Sequence, residues 1–161
     1  MHLSRAVWLL LVFLLGCGHK PPYEGRSVAE LERMLKDRNP TVQAQAAYGL
    51  SRHGAEARAA LPALTRALHS PHALVRQQAA LALGEMGAEA EEAVPALIEA
   101  LHDEEWSVRR QAATALGKIG APAHAAAAEL LRCQRDAHSL VRKAAAQALA
   151  KIKGAAPGER P

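Results

Sequence analysis

One string of residues occurs four times at a fixed interval, and nothing else in this chain limits its fold as strongly. Val42-Gln43-Ala44-Gln45-Ala46-Ala47-Tyr48-Gly49-Leu50 returns as Val75-Arg76-Gln77-Gln78-Ala79-Ala80-Leu81-Ala82-Leu83. It returns again as Val108-Arg109-Arg110-Gln111-Ala112-Ala113-Thr114-Ala115-Leu116 and as Val141-Arg142-Lys143-Ala144-Ala145-Ala146-Gln147-Ala148-Leu149. Each copy starts 33 residues after the one before it. A second string keeps the same interval upstream. Leu61-Pro62-Ala63-Leu64 with Ala67-Leu68 matches Val94-Pro95-Ala96-Leu97 with Ala100-Leu101, and weaker copies span residues 28–35 and 127–134. A unit this short cannot bury an apolar face alone, so the period predicts stacked units that share one continuous core.

The spacing within a unit is helical. Val75, Ala79, Leu83 and Met86 fall at offsets 0, 4, 8 and 11, one face of a helix with 3.6 residues per turn. Gly54, Gly87 and Gly120 stand just past the main string, where a left-handed helix cap favours glycine. Pro62 and Pro95 suit the first turn of a helix, where a missing N–H costs nothing. Asp37, Ser70, Asp103 and Asp136 recur between the two strings and can cap backbone donors there. Each unit therefore reads as two helices, A then B, with B helices starting at about residues 42, 75, 108 and 141. Trp106 falls with Pro40, Ala73 and Ser139 in the A–B turn. Half of the residues are apolar but only 3% are aromatic, so the core must be made of Ala, Leu, Val and Ile. Alanine is the best helix former, and the alternation expected of half-buried strands is missing. The predicted fold is all-α: a curved α-solenoid of four two-helix repeats over residues 27–153, with the B helices lining one long surface.

An Asp, then Val-Arg-x-x-Ala-Ala-x-Ala-Leu-Gly, closing in Ile-Gly or Met-Gly, resembles the short bacterial HEAT repeat, the type also found in phycobilisome lyase subunits. Ankyrin repeats share the period, but their Thr-Pro-Leu-His signature does not occur. The large aromatic and glycine positions of tetratricopeptide repeats are missing too. The resemblance implies that Arg76, Arg109 and Arg142 pair with the turn aspartates Asp37, Asp103 and Asp136 in a ladder between repeats. It also implies binding rather than catalysis. The resembling proteins include bilin lyases and a di-iron hydroxylase whose iron ligands are His-Glu pairs. None of the eight histidines here is followed by Glu, so no hydroxylase residue carries over. The expectation is a chain that is not an enzyme, with no catalytic residues, no metal and no cofactor. His69 and His102 lie one repeat apart, too far for a shared ion.

On a B helix the direction away from the core falls at offsets 2 and 10, among others. Offset 2 holds Ala44, Gln77, Arg110 and Lys143, and offset 10 holds Arg52, Glu85, Lys118 and Lys151. The predicted site is a basic groove of Arg52, Arg110, Lys118, Lys143 and Lys151, with Tyr48 and Leu81 as apolar anchors towards its N-terminal end. The chain carries a net charge of +4. The expected partner is another protein with an acidic surface; the alternative is an anionic envelope lipid or glycan, and a third reading is a non-catalytic or lyase-like enzyme subunit, for which only the scaffold matches. Cys133 aligns with Ala67 and Ala100 and reads as a small buried hydrophobe. The last repeat keeps Val141, Ala145, Leu149 and Ile152 without an evident helix to cover them. The C-terminal end is therefore expected to fray, to self-associate or to be covered by a partner.

Residues 6–15 are a run of ten apolar residues after Arg5. That is half of the roughly 20 needed to span a bilayer as a helix, and it fits the apolar part of a secretory signal. Leu14-Leu15-Gly16-Cys17 resembles the lipobox of bacterial lipoproteins, although Leu15 stands where that family favours a small residue. The resemblance implies cleavage before Cys17 and lipidation of Cys17. Gly18 rather than Asp after it implies sorting to the outer membrane, facing the periplasm. The expected organisation is a signal peptide over 1–16, a lipidated Cys and tether over 17–26, the repeats over 27–153 and a disordered tail over 154–161. An exported, lipid-anchored chain in the bacterial cell envelope is not expected to meet nucleic acid.

Overall fold

The computed structural model describes residues 21–154. The signal peptide, Cys17 and residues 155–161 of the expected tail lie outside the described residues. The fold is an all-α solenoid, with no strand among the described residues. Repeat 1 is α1 (Val28–Met34) and α2 (Pro40–His53); repeat 2 is α3 (Leu61–Ala67) and α4 (Ala73–Glu85). Repeat 3 is α5 (Val94–Ala100) and α6 (Trp106–Ile119); repeat 4 is α7 (Ala127–Cys133) and α8 (Ser139–Gly154). Single 3-10 segments, Gly54–Ala60, Gly87–Ala93 and Ala121–Ala126, lead into repeats 2, 3 and 4.

The B helices begin two residues earlier than the sequence reading placed them, and the turn explains why. In each turn an Asp or Ser side chain accepts the N–H two residues on: Asp37 from Asn39 at 2.8 Å, Ser70 from His72 at 3.3 Å, Asp103 from Glu105 at 2.9 Å and Asp136 from His138 at 2.8 Å. This bond completes the reversal at once, so the helix starts on the next residue. Trp106 is consequently the first residue of α6 rather than part of the turn.

The B helices end differently from expectation. Gly54 and Gly120 have φ of 53° and 76° but ψ of −130° and −136°. A left-handed cap would have ψ near +47°; the observed region is open essentially to glycine alone. The chain thus reverses straight into a 3-10 segment. Those segments bury Ala57 and Ala60, Ala90 and Ala93, Ala123 and Ala126. A spacing of three puts both alanines of each pair on one face of a three-residue turn.

The core runs the length of the stack in columns. Leu31, Leu64, Leu97 and Leu130 form the A-helix column; Ala46, Ala79, Ala112 and Ala145 form one in the B layer, beside Leu50, Leu83, Leu116 and Leu149. A Cβ placed on Gly84 would sit 2.8 Å from the Ala115 Cα, and one on Gly117 would sit 2.8 Å from the Ala148 Cα. Successive B helices touch nearly backbone to backbone, whereas successive A helices share few contacts. The layer with the closer spacing is the inner, concave one.

Both ends correct the sequence reading. The second half of the expected tether is folded: Glu24 donates its N–H to Pro21 O at 2.8 Å, and Tyr23 packs on Gly49 of α2. At the other end Val141, Ala145, Leu149 and Ile152 are all buried, the least covered being Leu149 at 5% exposure. They face α6 and α7, so the stack does not end in a bare apolar surface. Gln134 is exposed where Leu35, Leu68 and Leu101 are buried in the earlier repeats.

Candidate functional site

The concave face is built from what the B helices present away from the core. Its N-terminal part holds two adjoining hollows between α2 and α4. One, of about 250 Å³, is lined by Tyr23, Thr41, Gln45, Tyr48, Leu74 and Gln78. The other, of about 340 Å³, is lined by Tyr48, Ser51, Arg52, Leu81 and Glu85. Tyr48 divides them. The Tyr23 ring meets it edge to face, with centroids 5.1 Å apart and planes at 75°. Tyr48 is therefore half-buried beneath Tyr23 rather than a free anchor. Leu81 is likewise half-buried, and Ala44, expected to face outward, is buried. The large apolar side chain that does stand free here is Leu74, 54% exposed. It lies one residue before the repeated string, a position the string-based reading did not consider.

A row of amides crosses the same face. Gln45, Gln78 and Gln111 hold the same position in successive repeats and are all half-buried. The Gln78 Oε1 is buried without a hydrogen-bond partner among the described residues. A primary amide both donates and accepts, so such a row can meet the N–H and C=O groups of another polypeptide. The in-register recurrence stands in the repeated strings themselves, at offset 3.

The expected basic groove does not assemble into one strip. Arg52 is exposed beside Leu81 at the second hollow. Lys118 is held by Glu85 of the preceding repeat, Nζ to Oε1 at 2.5 Å. Arg110 is half-buried, with its guanidinium carbon 5.8 Å from the centroid of the Trp106 ring. Trp106 in turn lies flat on His138 of the next repeat, 3.9 Å away at 3°. Lys143 and Lys151 are exposed on α8, at the C-terminal end of the stack. The physical reason is that offset 2 points along the stack as well as outward. The next repeat covers Gln77 and Arg110, and no described repeat follows Lys143.

The Arg–Asp pairs form two rungs. Arg76 Nε donates to Asp103 Oδ2 at 2.6 Å and its Nη2 to Oδ1 at 2.8 Å, while Nη1 donates to Ser70 O at 2.9 Å. Arg109 grips Asp136 in the same way, at 2.8 and 3.1 Å, with Nη1 on Asp103 O at 2.8 Å. Such bidentate, charge-assisted pairs are directional and strong. Burial alone would push the Asp103 carboxyl up. The Arg76 hydrogen bonds, the Glu105 N–H and the charges of Arg76 and Arg109 outweigh it and hold the group below the usual aspartate range. The hydrogen bond from Arg109 is the main reason Asp136 is also held down.

The other two residues assigned to the ladder have no such partner among the described residues. Asp37 accepts the Asn39 N–H, and no arginine reaches it. Arg142 keeps Nη1 on the carbonyls of Asp136 and Ala137, at 2.8 and 2.9 Å, but has no carboxylate. The rung between repeats 1 and 2 is missing because Gln43 and Ser70 occupy its two positions; Gln43 donates instead to Asp37 O at 2.6 Å. Cys133 is buried, and that burial pushes its thiol up, away from the reactive thiolate.

The profile of HEAT repeats matches residues 28–95 and 61–150. The chain belongs to the HEAT-repeat family. Solved structures agree. Human deoxyhypusine hydroxylase, in complex with glycerol, is 32% identical with a TM-score of 0.65, over 93% of this chain and 54% of that one. The complex of CpcE and CpcF of phycocyanin lyase from Nostoc sp. PCC7120 is 25% identical with a TM-score of 0.69, over 86% and 59%. A designed armadillo repeat protein in complex with the peptide (KR)4 is 21% identical with a TM-score of 0.68, over 78% and 64%, a likeness of fold. This HEAT-repeat chain thus spans less than two thirds of the length of each of these structures. Among curated proteins none matches it.

Proposed function

We propose that this HEAT-repeat chain is a non-catalytic scaffold of the bacterial cell envelope, anchored by a lipid on Cys17, that binds another protein on its concave face. The observation that carries the reading is the row of half-buried amides Gln45, Gln78 and Gln111 beside the exposed Leu74. A primary amide both donates and accepts, so the exposed part of this row can pair with the N–H and C=O groups of a bound polypeptide. Leu74 and Leu81 supply apolar area next to it. A HEAT-repeat neighbour was solved as a complex of two proteins, which supports a protein partner in general. The alternative, an anionic lipid or glycan held in a basic groove, is less well supported, since Lys118 is paired with Glu85 and the remaining cations are dispersed.

The test uses the lipidated full-length chain in envelope membranes, with a photo-crosslinking residue at Leu74 or, separately, at Arg58 of the 3-10 segment before α3. A discrete protein adduct is expected from Leu74 and none from Arg58, and Gln78→Ala should weaken it. Equal adducts from both positions, or none from either, would sink the concave-face reading. Cys17→Ser should move the chain from the membrane to the soluble fraction; retention in the membrane would remove the anchor from the proposal.

A further inference from the structure

The C-terminal end of the stack carries a second surface, independent of the concave-face reading. Its centre is Arg142. Nη1 is fixed on the carbonyls of Asp136 and Ala137, just as Arg109 Nη1 is fixed on those of Asp103 and Glu104. That contact holds the guanidinium in the ladder orientation. In Arg76 and Arg109 the remaining edge, Nε and Nη2, grips the aspartate of the next repeat's turn. In Arg142 the same edge has no partner among the described residues and faces solvent.

The surroundings are not those of an inner repeat interface. Gln134 stands where Leu35, Leu68 and Leu101 are buried, so the face has a polar residue where the others have an apolar one. Arg132, Gln134 and Arg135 line an open hollow of about 610 Å³ with Leu131, which is 51% exposed. Lys143 and Lys151 are exposed on the adjoining α8. The acids close by are taken: Glu129 holds Arg132 at 2.7 Å with His102 Nε2 3.1 Å from its other oxygen, and the Asp136 carboxylate is held by Arg109. Arg132 and Arg135 beside one apolar contact, with the prearranged guanidinium edge of Arg142 on the next helix, complement a carboxylate-rich segment.

We infer that this end face docks an acidic segment of a partner protein, which places an Asp or Glu carboxylate on Nε and Nη2 of Arg142 as Asp136 sits on Arg109. The partner's turn and helix end take the place that a fifth repeat would occupy, with an apolar side chain on Leu131. The second copy of this chain is the weaker occupant. Its free aspartate, Asp37, lies at an end where Tyr23 already covers Gly49 and Tyr48, and where Arg33, Lys36 and Arg38 stand close by in the sequence.

The probe is a peptide of residues 97–108 of this chain, the helix end and turn that present Asp103 to Arg76, with Glu99, Glu104 and Glu105 adding negative charge. It is titrated to millimolar concentration into the full chain, and the Nε–H signals of the arginines are followed by NMR. The Arg142 signal is expected to shift, while those of Arg76 and Arg109, already bonded, stay in place. An Asp103→Asn peptide, or the Arg142→Gln chain, should bind about tenfold more weakly, and the effect should fade with salt. A still Arg142 signal with shifts at Leu74 or Arg52 would overturn the inference and leave the concave face as the docking site. An Arg142 signal already bonded in the free chain would overturn it too. If removal of residues 155–161 then released it, the occupant would be the tail. If dilution or Asp37→Asn released it, the occupant would be a second copy.

Discussion

The two ends of the stack solve one problem in opposite ways. A terminal repeat has a face that an inner repeat would have buried. At the N-terminal end the chain folds back on itself, and Tyr23 covers Gly49 and the Tyr48 ring. At the C-terminal end nothing described folds back; the face itself has changed, with Gln134 in place of a buried leucine and Arg142, Lys143 and Lys151 exposed. The first solution removes a surface and the second leaves one that water tolerates. A plugged end is finished, whereas a charged end keeps the capacity to bind. Between them the inner rungs show what Arg142 would gain from a partner.

Substitutions can break or sharpen this contrast, and the largest effect belongs to the interior. Arg76 and Asp103 side chains are 10% and 9% exposed. Arg76→Gln strands a buried carboxylate and should destabilise by about 3 kcal/mol in urea unfolding. Next comes the plug. Tyr23→Ala should cost about 1 to 2 kcal/mol, and hydrogen exchange should quicken in α1 and α2 while α7 and α8 keep their protection. Exchange that quickens evenly along the chain would show that Tyr23 is not a local cap.

Acid gives a smaller, graded effect. Asp103 and Asp136 are both held below the ordinary aspartate value of about 3.9. Their stabilisation is complete above that value and is lost as the pH falls through the lower folded-state values. In Asp103→Asn with Asp136→Asn, stability should fall less steeply between about pH 4 and pH 2 than in the parent; unchanged steepness would place the acid sensitivity elsewhere. The smallest effect is expected of Arg142→Gln, within about 0.5 kcal/mol of the parent, because its guanidinium has no carboxylate to lose among the described residues. A loss near that of Arg76→Gln would mean that the end is already occupied.

The apolar recurrence was legible in the sequence. The 33-residue period carried the helix pairs and the core columns, and the resemblance to HEAT repeats carried the pairing of Arg76 and Arg109 with turn aspartates. Whatever occurs once was not. Tyr23 has no counterpart in the other repeats, and no periodic argument could lift it out of a Pro- and Gly-containing stretch onto α2. The cations were misjudged for a related reason. An offset fixes a direction on one helix but not what the neighbouring elements put there; Glu85 meets Lys118, and Arg110 lies over the Trp106 ring, which is itself stacked on His138. The 3-10 segments are written in alanines three apart, Ala57 with Ala60 and Ala90 with Ala93, a spacing that does not show as a face of a 3.6-residue helix.

The near-contact of backbones at Gly84 and Gly117 has a mechanical consequence. Along the inner arc, repeats cannot be pushed closer, because atoms of the main chain already touch. Along the outer arc each A helix meets the next repeat through the 3-10 segment rather than backbone to backbone. The B layer is therefore the hard stop against closure, and the groove has a minimum width written into two glycines.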